Sequence, residues 1–141
     1  MSRELNWESL PNKYQKKAGT NKIYFPLEEK EQMKLAEYLD WHNYCWYHVP
    51  NEGLHKVQYR KKQKKLGLKK GVPDNFIFDI PDHLDYKGIV IELKRQKGGQ
   101  IREGQKRWLD MLNARGWLTQ VCCGADEAID WLEKIFEGVP R

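Results

Sequence analysis

The chain has 141 residues, of which 32% are charged, and its formal net charge is +5 with an isoelectric point near 9.0. This length suffices for one ordinary domain and leaves little for a second. No apolar run is long enough to span a membrane, and the N-terminal sequence lacks the apolar core of a signal peptide. We therefore expect a cytoplasmic protein with an anionic partner, for which nucleic acid and a membrane surface both qualify.

The first predicted unit is an arm, because residues 1–26 are polar, contain Pro and Gly, and show no sustained period. A domain of residues 27–141 follows. Its first helix is predicted to begin near Pro26 or Leu27, since acidic residues in the first turn suit the positive end of the helix dipole. Leu35 and Leu39 continue the apolar stripe of this helix.

A strand is predicted next, because side chains alternate over residues 43–49 before Pro50 interrupts the pattern. His48 near its end is more often a hydrogen-bonded structural residue than a catalytic base, so we leave it out of the predicted catalytic set.

The cysteines predict no metal or disulfide framework. Cys45, Cys122 and Cys123 form no CxxC pair and no even set, so we expect reduced and mostly buried thiols. A zinc site with His42 or His48 is a weaker alternative.

Residues 56–70 are strongly basic, with eight Lys and Arg residues and no acidic residue. Their thin apolar content predicts a short helix or helix-like connector with one face on the domain. A basic run that leads directly to Gly71 and Asp74 is suited to contacting a phosphate backbone. A solvated surface kept for solubility is the alternative. Including the tract after the next strand, the predicted DNA-contacting residues are Lys56, Arg60, Lys61, Lys62, Lys64, Lys65, Lys69, Lys70, Arg95 and Lys97.

Residues 75–80 and 89–91 are β-branched or aromatic runs on either side of a Pro-, Asp- and Gly-rich turn, which predicts a β-hairpin. A turn centred near His83 and Leu84 would place Asp74 across from Leu93 and Lys94. Both faces of the second strand are largely apolar, so we expect it to be buried on both sides.

Glu92 and Lys94 lie two residues apart on this strand and therefore on the same face. Such charges are costly to bury unless something binds them, and a divalent cation with a phosphate would do so. Asp74, Glu92 and the Leu93 carbonyl could supply the oxygen ligands that Mg²⁺ prefers. Lys94 could then orient the attacking water or stabilise the developing charge. An exposed ion pair at the open end of a hairpin is the alternative.

The last third of the chain predicts a helix, a strand and a closing helix. The first helix ends at Gly116, the strand covers residues 117–123, and the second helix covers residues 125–136. Gln105 interrupts the apolar stripe of the first of these helices. An inward amide needs partners, for which the Lys94 region and a substrate phosphate both qualify.

Several pieces of sequence recur together in one family. In order they are the acidic start of the first helix, His48-Val49-Pro50-Asn51, Gly71-Val72-Pro73-Asp74, Glu92-Leu93-Lys94, and Gly98-Gly99 leading to Gln105 and Trp108. Over roughly residues 27–123 they resemble the VRR-NUC (virus-type replication-repair nuclease) branch of the PD-(D/E)xK superfamily. Glu52 departs from the pattern, since the resemblance leads us to expect a second glycine after Asn51.

The resemblance implies an α/β, restriction-endonuclease-like core with a mixed central sheet of about four strands flanked by helices. It also implies a DNA endonuclease dependent on Mg²⁺, with Mn²⁺ as a substitute, that acts on branched, Holliday-junction-like DNA in replication, recombination or repair. Gln105 would join the catalytic set, Glu31 or Glu28 would be an accessory acid, and the protein would be a homodimer. The alternatives are a nickase or exonuclease on ordinary duplex DNA, and a non-catalytic nucleic-acid-binding module.

Overall fold

The computed structural model describes residues 27–50 and 56–139 as an α/β arrangement of alternating helices and strands. The elements in chain order are α1 (Leu27–Trp41), β1 (Trp46–His48), α2 (Val57–Lys65), β2 (Asn75–Ile77), β3 (Ile89–Lys94), α3 (Glu103–Ala114), β4 (Leu118–Cys123) and α4 (Ala125–Ile135). The predicted arm of residues 1–26 and the loop at residues 51–53 lie outside the described residues.

The four strands form one mixed sheet in the order β1-β2-β3-β4. β1 pairs with β2 and β2 with β3 in antiparallel fashion, whereas β3 and β4 are parallel and α3 connects them. The predicted fold class is therefore confirmed. All six residues of β3 are buried, because a central strand has neighbours on both edges and helices over it.

Helices α1 and α4 cover one face of the sheet and form the main core with it. Leu35 and Leu39 from α1 pack in one cluster with Ile89 and Ile91 from β3 and with Leu132 from α4. The alternation of β3 turns Glu92 and Lys94 away from this apolar cluster. The fold thus buries two charges in the middle of the sheet without placing them in the hydrophobic core.

The register of the hairpin differs from the predicted one. Asn75 pairs with Ile91 and Ile77 with Ile89, so the pairing is centred on residue 83 and, continued by one residue, sets Asp74 opposite Glu92. Opposition to Leu93 and Lys94 is therefore wrong by one to two residues. After Ile77, the Phe78 amide donates to the Cys45 carbonyl (2.8 Å), which continues the pairing with the β1 side by one residue. The long connection that follows does not fix the register as a tight turn would.

Helix α2 buries no face against the domain, which corrects the expectation that one face of this basic connector packs on it. None of its residues is buried, and Val57 and Leu66 are 58% and 71% exposed. The reason is composition, since so few apolar residues cannot form a continuous stripe.

The expectation of mostly buried thiols is also wrong. Cys122 is buried, whereas Cys45 and Cys123 are exposed. Burial raises the pKa of the Cys122 thiol to about 12, so this cysteine is an unreactive core residue. The other two cysteines lie just before β1 and at the end of β4, where the sheet meets solvent.

Candidate active site

Asp74 is held in place at the start of β2 by contacts on both sides. Its Oδ2 accepts a hydrogen bond from the Leu93 amide (2.9 Å), and its own amide donates to Glu92 Oε2 (3.2 Å). On the β1 side, the Asp74 carbonyl accepts from the Val49 amide (2.8 Å) and meets His48 Nδ1 at 2.9 Å. The Asp74 carboxylate is therefore bound to the main chain of β3, and the Glu92 carboxylate is bound to the main chain of Asp74. His48 contacts the main chain of Asp74, which is a structural role.

Glu92 and Lys94 form a buried ion pair. Lys94 Nζ lies 2.9 Å from Glu92 Oε1, and the two residues are 8% and 1% exposed, respectively. This burial excludes the alternative of an exposed ion pair. Glu92 Oε1 is fully buried and lacks a well-aligned hydrogen bond, so the ammonium neutralises this oxygen without saturating it.

Lys94 has two further neighbours that come from helices. Its ammonium donates to Gln105 Oε1 (3.1 Å), and the Arg102 amide donates to the same oxygen (3.0 Å). Glu28 Oε1 lies 3.8 Å from Lys94 Nζ. The amide oxygen of Gln105 thus accepts hydrogen bonds both from the start of α3 and from Lys94. These bonds explain why a polar residue interrupts the apolar stripe of this helix.

The charges of the cluster do not balance. Two carboxylates, Asp74 and Glu92, face one buried ammonium. Burial, with the neighbouring charge of Asp74, raises the pKa of Glu92 to about 7 although Lys94 opposes the shift. Burial also raises the pKa of Asp74, against the Leu93 hydrogen bond and Lys94. A cation bound here would relieve both carboxylates.

The two accessory acids have different surroundings. Glu31 is occupied, because its Oε1 accepts from Gln96 Nε2 (3.0 Å) and its Oε2 from the Ala125 amide (2.5 Å). Glu28 is half exposed and lies near Lys94. The structure therefore brings Glu28 to the cluster and gives Glu31 a structural task at the start of α4.

The predicted DNA-contacting residues all lie on the surface. Arg95 and Lys97 belong to the turn after β3, where the Arg95 guanidinium donates to the Gly98 carbonyl (3.1 Å). The residues of the 56–70 segment lie on and around α2. They do not form part of the carboxylate cluster, to which residues 71–73 connect them along the chain.

Sequence reasoning missed one polar pair beside the cluster. Gln32 Nε2 donates to Asn75 Oδ1 (2.7 Å) and Asn75 Nδ2 donates to Gln32 Oε1 (2.9 Å), with Asn75 fully buried. This reciprocal pair joins α1 to β2 next to Asp74. An Asn in an apolar run was the available signal, but its partner lies far away in sequence.

The donor set fits a hard cation. Among the described residues, no group of three or more His, Cys, Asp or Glu side chains is placed to hold a metal, so the zinc alternative has no support in residues 27–50 and 56–139. Asp74 and Glu92 remain, and Mg²⁺ is typically bound by one or two carboxylates together with water and substrate phosphate. The unsaturated buried oxygen of Glu92 fits that role.

Residues 27–126 match the model of the VRR-NUC domain. The chain belongs to the VRR-NUC family. A solved structure titled "VRR_NUC domain protein" has a TM-score of 0.66 to this chain at 21% identity, covering 82% of this chain and 92% of that one. This likeness shows a shared fold. No match is found among curated proteins.

Membership of the VRR-NUC family makes this chain a nuclease-like protein, and the matched range contains every residue of the cluster just described. It also contains the basic segment around α2. None of the helices in the described part of this VRR-NUC domain is both long and apolar enough to cross a membrane.

Proposed function

We propose that this VRR-NUC domain is a Mg²⁺-dependent DNA endonuclease of the PD-(D/E)xK type. The observation that carries the proposal is the buried, charge-unbalanced cluster of Asp74, Glu92 and Lys94, in which the pKa of Glu92 is raised to about 7. A cluster built only for stability would balance its charges, because an excess buried carboxylate costs free energy.

The residues have distinct proposed roles. Asp74 and Glu92, with the Leu93 main-chain carbonyl, would hold Mg²⁺, and Mn²⁺ would suit the same oxygen donors. The metal would supply Lewis-acid activation of water and of the scissile phosphate. Lys94 would position the attacking water and stabilise the negative charge that develops on the phosphate. Gln105 is a positioning residue, because its amide oxygen fixes the Lys94 ammonium.

The substrate that we propose is branched or structured DNA, such as a four-way junction in replication, recombination or repair. The resemblance carries this step, together with the net charge of +5 that favours a polyanion. Symmetric cutting of two strands would require two active sites, so we also infer a homodimer. Ordinary duplex DNA, cut by a nickase or an exonuclease, is the competing substrate.

Cleavage assays test the proposal. The full chain is incubated with Mg²⁺ or Mn²⁺ and with linear, flap, fork and four-way DNA. We expect Glu92→Gln and Lys94→Met each to reduce cleavage by at least about a hundredfold, with DNA binding retained. Glu133→Gln, an exposed glutamate on α4, is the matched control and should cut normally.

Two results would contradict the proposed function. Full cleavage by both site variants would remove the mechanism. A wild-type chain that binds DNA in a salt-dependent manner and cuts no substrate with either metal would be a non-catalytic binding module. Sedimentation of the chain with and without four-way DNA tests the homodimer, and a monomer in both samples would contradict it.

A further inference from the structure

Helix α2 has no counter-charge of its own. It contains five of the eight basic residues of the 56–70 segment, and the segment has no acidic residue. Arg60 and Lys64, like Lys61 and Lys65, stand at i, i+4 spacing, where like charges repel on a helix surface. A nine-residue helix is too short to be stable without outside contacts, and none of its side chains is buried.

Of the three other basic residues, Lys56 precedes the first turn of α2, and Lys69 and Lys70 follow its last turn. The Leu68 amide donates to the Gln63 carbonyl (2.9 Å) and the Gly67 amide to the Lys64 carbonyl (3.1 Å). These bonds reverse the chain. Lys69 and Lys70 therefore follow directly on this turn, and the chain leads from them to Gly71 and Asp74.

The end of the segment is fixed to α3, the helix that carries Gln105. The Trp108 indole donates to the Lys70 carbonyl (2.9 Å). Gly71 lies so close to α3 that a Cβ there would be 2.9 Å from the Gly104 carbonyl carbon and oxygen. Since Lys70 and Asp74 are four residues apart, the Cα atom at the end of the segment lies within about 14 Å of the Cα atom of Asp74.

We propose that residues 56–70 bind the phosphate backbone of a duplex DNA arm next to the cleavage site, independently of its sequence. The cations supply charge complementarity, and all five basic side chains of α2 are exposed to solvent. α2 is about 13 Å long, which matches the axial rise of about four base pairs of duplex DNA. This inference rests on the proposed function for the identity of the partner and extends it to the arm beyond the scissile phosphate.

Binding measured without metal separates this proposal from the catalytic one. The triple variant Lys61→Gln, Lys64→Gln, Lys65→Gln is compared with a control that removes the same charge elsewhere, Lys30→Gln, Lys87→Gln, Lys134→Gln. All six lysines are exposed, and Gln keeps a helix propensity close to that of Lys. Anisotropy with a labelled duplex in EDTA gives the affinity at several salt concentrations, and circular dichroism verifies folding.

The slope of log K against log salt is negative, and for the α2 variant it should be about 2.7 less steep than for the wild type if the three lysines contact phosphates. The corresponding loss of affinity at 0.1 M salt is roughly 500-fold. The control should keep the wild-type slope within about one. Equal slopes for the two triple variants would overturn the proposal. The same measurement with an RNA duplex is a further test: an α2 variant that loses affinity for RNA and keeps full affinity for DNA would also overturn it.

A second measurement varies the DNA. Affinity of the wild type should rise with duplex length until the arm covers α2 and its connection to Asp74, about eight base pairs from the scissile phosphate. The affinity of the α2 variant should not rise further over the outer half of this range of duplex lengths. An identical length dependence in both proteins would also overturn the proposal. If both binding tests succeed and the chain cuts no DNA, the proposed DNA-binding surface stands and the proposed nuclease activity is wrong.

Discussion

Replacing Glu92 with glutamine should change how the stability of the protein depends on pH. Burial and Asp74 raise the pKa of Glu92 from 4.5 to about 7 in the folded state. Because the folded pKa lies above the unfolded one, the contribution of this group to stability is fully present below pH 4.5 and is lost as the pH rises through 7. Glutamine resembles the protonated carboxyl group and does not titrate.

The size of the effect follows from the shift. A pKa change of about 2.5 corresponds to roughly 3.4 kcal/mol, of which about 2.5 kcal/mol falls between pH 5 and pH 8. The unfolding free energy of Glu92→Gln should therefore rise relative to wild type by about that amount over this range. In melting temperature this is roughly 5–10 °C for a chain of this length.

Urea unfolding of both proteins in EDTA at pH 5 and pH 8 measures the difference directly. Mg²⁺ provides the second part of the assay, because it should stabilise the wild type at pH 8 and have little effect on Glu92→Gln. A difference between the two proteins that stays constant within about 0.5 kcal/mol from pH 5 to pH 8 would refute the reasoning. It would mean that Glu92 is solvated in the folded protein and that no cation is needed to balance it.

Two further comparisons use pairs of matched variants. Gly71→Ala should lower the unfolding free energy by roughly 2–5 kcal/mol, because its Cβ would lie 2.9 Å from the main chain of Gly104. Gly138→Ala, with a similar positive φ and open space around it, should cost only about 1–2 kcal/mol in urea unfolding, and equal costs would contradict the close packing. Glu28→Gln should reduce Mg²⁺-dependent cleavage with little change in melting temperature, whereas Glu31→Gln should lower the melting temperature through α4; the reverse pattern would make Glu31 the accessory acid.

Much of the fold follows from local patterns. The apolar stripe of α1, the largely apolar faces of β3 and the Gly at residue 116 predict elements that the structure contains, with small differences at their ends. The exposure of α2 is different, because it depends on whether a neighbour exists for Val57 and Leu66. Sequence periodicity describes which face is apolar and contains no information about what covers it.

The site shows the same division. Asp74, Glu92, Lys94 and Gln105 stand out in the sequence because charged or polar groups interrupt apolar runs. The sequence does not decide which of two nearby glutamates approaches Lys94, since Glu28 and Glu31 share a helix face. The tertiary structure separates them, because the Ala125 amide and Gln96 bind Glu31, whereas Glu28 lies near Lys94.

The sequence by itself determined the family, the mixed α/β architecture and the residues of the candidate site, because hydrophobic period and motif spacing are local properties of the chain. The tertiary structure decided the register that sets Asp74 opposite Glu92, the burial that raises the pKa of both carboxylates, and the isolation of α2 from the core. These depend on distances between segments remote in sequence, and on the water that packing removes from around a charge.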